Sequence, residues 1–208
     1  MAFFKKSFSS LNQDTLNELA ILALTSAAGL SQIMGTIADD ESDPQFPYAF
    51  LESLTFMTAT ALFRAQAVYR FDNPEQQVSF IKAMQLGYSQ FTNEGEIRVG
   101  HCVLSREMLN VTISNDLFCK VVLYVIGDLP GLGIDEEKFK RFCESTNQRV
   151  SVVSSDIAKL SFSIFQLRVI SFYASACDVD SDKLLTLIRY ISDSICVFVE
   201  KIDICLDK

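Results

Sequence analysis

The chain has 208 residues, enough for one large domain or two small ones, and 49% of them are apolar, with 17 Phe and no Trp. Its formal net charge of -8 and pI near 4.7 argue against nucleic acid or an anionic membrane as partner and favour a basic protein. Six scattered Cys with no C-x-x-C pair and a single His argue against a disulfide framework and a His-rich zinc site.

The chain opens on Phe3, Phe4, Lys5, Lys6 and Phe8, a small basic and aromatic patch. It could touch a lipid surface, or its rings could fold onto the domain. Asn12, Gln13, Asp14, Asn17 and Glu18 follow, which is wrong for the apolar core of a signal peptide. No stretch has the roughly 18 or more uninterrupted apolar residues of a membrane span, and the expectation is a cytoplasmic protein without a transmembrane segment.

Asn12 or Asp14 is placed to cap a first helix with the stripe Leu16, Leu19, Ala23, Ala27, Leu30, Met34 and Ile37. Ile21, Leu22 and Leu24 are apolar as well, so this helix is expected to be buried on more than one side. It runs into the acidic loop from Asp39 to Pro47, where two prolines block continuation. Between Ser7 and Phe63 there is no Lys or Arg, while Asp14, Glu18, Asp39, Asp40, Glu41, Asp43 and Glu52 are all acidic. These carboxylates are expected to face solvent. Asp39, Asp40, Glu41 and Asp43 form the candidate partner-binding surface, with simple solubility as the plainer explanation.

A second helix is predicted from about Tyr48 to Arg70, with Phe50, Leu54, Met57, Ala61, Ala65 and Val68 on one face. Asn73 and Pro74 supply a cap and an N1 proline for a third, ending near Phe91. Residues 92–114 are ambiguous. Gly95 and Gly100 interrupt them, and Val103, Val111, Thr112 and Ile113 favour extended structure. A short helix from Cys102 to Leu109 is predicted, with a small hairpin as the rival, and any subdomain boundary would fall here. Ser114 or Asn115 then caps a helix carrying Leu117, Val121, Tyr124 and Val125. It stops at Gly127–Gly133, and Asp135 caps the next.

Two apolar seams in steps of three and four close the chain: Val150, Val153, Ile157, Leu160, Ile164, Leu167, and then Leu184, Ile188, Ile191, Ile195, Phe198, Ile202, Cys205. The predicted fold is all-α: a single-domain bundle of about seven or eight helices, ending in a long antiparallel helical hairpin packed seam to seam.

No chemical motif stands out. Cys102 follows His101 directly, and neighbours in sequence do not face each other on a helix, so a Cys–His pair would need another cysteine. Gly127–Gly133 lacks the Lys-Ser/Thr ending of a phosphate loop. Asp178, Asp180 and Asp182 have alternate calcium-loop spacing, but Lys183 and Arg189 stand where such a loop needs Gly and a bidentate Glu. Capping of the last helix is the better reading. Neither catalytic residues, metal nor cofactor is predicted. The expected function is a non-enzymatic helical protein-interaction module, of the adaptor, secretion-chaperone, effector or toxin-neutralising kind, using an acidic and apolar surface. Its partner is another protein, basic in character, or a second copy. One alternative is a carrier of an apolar ligand or lipid in a Phe-rich cavity. The other is an enzyme using Cys and His or clustered carboxylates.

Overall fold

Two helices are buried on every side along their middle turns, and the others are arranged around them. The computed structural model describes residues 5–37, 46–93, 97–99, 102–104, 116–146, 156–176 and 180–207. Among these are seven helices: α1 (Gln13–Ile37), α2 (Phe46–Val68), α3 (Pro74–Asn93), α4 (Asp116–Ile126), α5 (Glu136–Thr146), α6 (Asp156–Ala176) and α7 (Ser181–Asp207). In α2 every residue from Glu52 to Leu62 is buried, and in α6 every residue from Ser161 to Leu167. Neither can therefore have a solvent face along those turns. The fold is an all-α bundle with α2 at its hub, touching α1, α3, α4, α6 and α7.

The starts of the helices follow from side-chain caps. Asn12 Oδ1 accepts from the Thr15 N–H at 2.7 Å, Asn73 Oδ1 from Gln76 at 3.0 Å, Asp135 Oδ1 from Lys138 at 2.8 Å and Asp180 Oδ1 from Lys183 at 2.8 Å. Asp180 thus caps α7, as its place before the apolar run predicts. At the end of α4, Gly127 has φ +69°, and a Cβ there would stand 2.6 Å from Leu160. Only glycine meets both conditions at no cost.

Aromatic rings fill the centre. Phe56 of α2 stacks on Phe165 of α6, with centroids 4.5 Å apart and planes 4° from parallel, and its edges meet Tyr124 and Phe162. Buried Tyr88 of α3 shares a 2.8 Å hydrogen bond with Thr58 of α2, and burial pushes its phenol pKa up. The crossing of α1 and α3 is set by small residues. A Cβ on Gly87 of α3 would lie 2.6 Å from the Ala20 Cβ of α1. Gly87→Ala is therefore expected to force α1 and α3 apart and lower stability by about 1–3 kcal/mol. A melting temperature equal to that of the parent would refute the close crossing.

The two ends of the described chain are tied together. β1 (Lys6–Ser7) pairs in parallel with β2 (Tyr69–Arg70). Lys6 Nζ donates to the Leu206 carbonyl at 3.2 Å and lies over the Tyr69 ring, and Phe8 packs on Phe71 at 4.7 Å between centroids. Lys5 Nζ donates to the Gln66 carbonyl at 2.6 Å. Lys5, Lys6 and Phe8 of the basic and aromatic patch thus fold onto the bundle, where Lys6 also sits favourably at the negative end of α7.

Three expectations change. In the ambiguous region, β3 (Ile97–Val99) and β4 (Cys102–Leu104) pair antiparallel, with Val99 opposite Cys102. The hairpin replaces the predicted helix at Cys102–Leu104, because β-branched residues on both sides of Gly100 suit a pleated pair better than a helix. Residues 105–109 lie outside the described residues. On α6 the predicted seam is too narrow and misphased at its start: Ile157 is exposed and Leu160 half-buried, while Phe162, Phe165 and Val169 are buried. Val150 and Val153 lie outside the described residues. On α7, Ile191, Ile195, Phe198 and Ile202 are buried as expected, Ile188 only half so. Gln166 reaches Ser192 across α6 and α7 at 3.3 Å, but α7 packs mainly on α1. Its seam is shared among α1, α2 and α6.

By length and composition α1, and α6 over residues 157–175, are apolar enough to cross a membrane. Their most apolar windows are 50% and 56% buried inside the bundle. Ser, Thr and Gln interrupt α1, and Ser, Gln, Lys159 and Arg168 interrupt α6, so a search for unbroken apolar runs passes over them.

Candidate functional site

Glu52 is the sole charge between residues 46 and 63, and Arg168 the sole charge between 160 and 176. A lone charge on a helix buried all round must find an opposite charge. Here the two find each other. Arg168 Nε donates to Glu52 Oε1 at 2.5 Å and Arg168 Nη2 to Glu52 Oε2 at 3.0 Å, a two-pronged bond joining α6 to α2. Glu52 is 0% exposed and Arg168 15%.

The pair organises its surroundings. The Tyr124 hydroxyl of α4 donates to Glu52 Oε1, Arg168 Nη1 donates to the Leu132 carbonyl, and Arg168 Nη2 reaches the Tyr48 hydroxyl at 3.5 Å. Behind them Ser161 Oγ donates to the Tyr124 carbonyl at 2.6 Å. Burial, followed by the Glu52 charge, raises the pKa of both Tyr124 and Tyr48. For Arg168 burial pulls downward, but its bond to Glu52 and the Glu52 charge outweigh it and hold the guanidinium protonated.

A cleft of about 420 Å³ opens above this network. One wall is the ring of Tyr48 stacked on Phe172, with centroids 3.9 Å apart. The others are Arg168, Ser171 and Ser175 of α6, and Gly133–Asp135 with Lys138 at the start of α5. Glu52 is sealed away from this cleft and does not line it. Most N–H groups of Arg168 already have acceptors. The cluster therefore works as an internal tie among α2, α4, α6 and the 127–135 turn.

Sequence reasoning placed Glu52 among the solvent-facing carboxylates. That expectation is corrected: it is completely buried, because Arg168 compensates it from 116 residues away. The available signal was the isolation of each charge in an apolar helix, one of each sign. Tyr124 and Tyr48 carried no such mark. The proposed surface residues Asp39, Asp40, Glu41 and Asp43 lie outside the described residues, as does His101. Cys119 of α4 is exposed; Cys143, Cys196 and Cys205 are half-buried, and none of the four is in a disulfide. Burial raises the Cys143 and Cys196 thiols. Among the described residues no group of three or more His, Cys, Asp or Glu is placed to hold a metal.

A different pattern lies on the outer face of α7. Tyr190, Val197 and Ile204 are 48%, 48% and 64% exposed. They recur at seven-residue steps, about two helical turns, and so form one row. Three residues after each stands an exposed carboxylate: Asp193, Glu200 and Asp207. Residues three apart are neighbours on a helix, so an acidic row runs beside the apolar one. The opposite flank carries Ser194 and Lys201. No protein-family model, curated protein or solved structure matches this chain.

Proposed function

We propose that the protein is a non-enzymatic helical interaction module that binds another protein through the outer face of α7. The observation that carries this reading is the row Tyr190, Val197 and Ile204, held out to solvent on a 27-residue helix whose other side is locked into the core. Single exposed apolar residues are ordinary; a row in register along several turns of a rigid helix is the form a docking surface takes. The buried Glu52–Arg168 pair supports the same reading from the other direction. The strongest ionic constellation among the described residues holds the scaffold together and leaves no group poised for proton transfer or attack.

A carrier of a small ligand is the second reading, and the cleft beside Tyr48, Arg168 and Phe172 favours it. Native mass spectrometry of the protein purified from its own cells separates the two. The first reading expects a second polypeptide that is lost from the double variant Val197→Asp/Ile204→Asp. A retained small molecule with no polypeptide would favour the cleft.

A further inference from the structure

We infer that the α7 face is built for an amphipathic helix of basic character, laid lengthwise on the row Tyr190, Val197 and Ile204. This rests on the proposed interaction role and names the partner's chemistry. Three observations select the occupant. First, the acidic row Asp193, Glu200 and Asp207 keeps step with the apolar row over the same turns, so a helix whose apolar residues follow α7 carries its flank past each carboxylate in turn. Second, the apolar row is one residue wide. A second copy would add only another single row, short of the roughly 1,200 Å² that stable interfaces bury. A helix with a broader apolar stripe supplies the missing half. Third, with a net charge of -8, like copies repel at long range while a cationic helix is drawn in. If two copies packed antiparallel along this row, each acidic row would also face its own counterpart.

Cys196 reports on the same surface. It is half-buried beside the acidic row, and after burial itself the charges of Asp193 and Glu200 are what raise its thiol. A cationic helix beside Asp193 and Glu200 offsets those charges and eases the thiol back down.

The test uses the full chain and a synthetic helix with leucine at heptad spacing and lysine on both flanks, beside the same peptide with glutamate for lysine. Fluorescence anisotropy is expected to show binding of the lysine peptide alone, strongest at low salt. Replacing Asp193, Glu200 and Asp207 by Asn, Gln and Asn is expected to weaken it about tenfold and flatten its salt dependence. Val197→Ser/Ile204→Ser, exposed positions checked for folding by circular dichroism, is expected to abolish it. If both peptides bind equally, the basic partner is wrong while the docking face stands. If neither binds, the helical basic partner is wrong, and the native mass measurement decides the docking face by itself. Lysine-peptide binding that survives Val197→Ser/Ile204→Ser overturns the face and the interaction role with it. Sedimentation showing self-association lost in Ile204→Ser would make a second copy the occupant and overturn the inference.

Discussion

Replacing Glu52 with Ala is expected to cost about 3–5 kcal/mol, because it leaves the Arg168 guanidinium largely buried without its counter-charge. It also removes the acceptor of the Tyr124 hydroxyl. Against a total stability of about 5–15 kcal/mol for a typical domain, that loss should be visible as a large fall in the urea midpoint. Two companion variants separate charge from packing. Glu52→Gln keeps the shape and one acceptor and should lose less. Glu52→Met/Arg168→Met removes both charges together and should cost far less than the sum of the two single changes, since much of each single cost comes from the orphaned partner. A Glu52→Ala protein within about 1 kcal/mol of the parent, against the roughly 3–5 kcal/mol that broken buried pairs cost, would show that the tie does not bear on folding.

On α7 one substitution made at two positions gives opposite outcomes. Ile191 is 0% exposed, and Ile191→Asp gives up about 1.5–3 kcal/mol of apolar burial and places a carboxylate in the hydrophobic core. A total of roughly 4–6 kcal/mol is expected, enough to unfold a marginal domain. Ile204→Asp, on the outward face, should change stability by less than about 0.5 kcal/mol. Chemical denaturation of the pair measures the amphipathic division of this helix directly. Equal losses at both positions would mean that the outward row is buried in the native protein, and equal tolerance would mean that Ile191 is not in the core.

Much of the bundle was legible because its signals are local. Asn12, Asn73, Asp135 and Asp180 announced helix starts through short-range capping, and Gly127 announced a stop through its backbone freedom. The apolar spacing of α7 located Ile191 and Ile195 correctly. What escaped reading depends on contacts distant in sequence. α2 and α6 are buried on all sides, so a one-sided stripe could not show which residues touch what. Ile157 continues the α6 stripe in sequence but is exposed. The central tie needed Glu52, Tyr124 and Arg168 to be seen together, and only the two isolated charges hinted at it. The apolar row Tyr190, Val197 and Ile204 was hidden for another reason: the stronger seam on the opposite side of the same helix drew the period to itself.

The partnership of α1 with α7 sets an order on the life of the chain. α1 is among its most apolar helices, and one of its main coverings is a helix made much later, which ends about 170 residues on. At roughly 5–20 residues per second, α1 leaves the ribosome some ten to thirty seconds before α7 is complete. In that interval α2 and α3 can close part of its surface, and the rest stays open to water and to other chains. A nascent chain that stalls before α7 is thus a sticky intermediate, and chaperone demand should rise with the length of that wait.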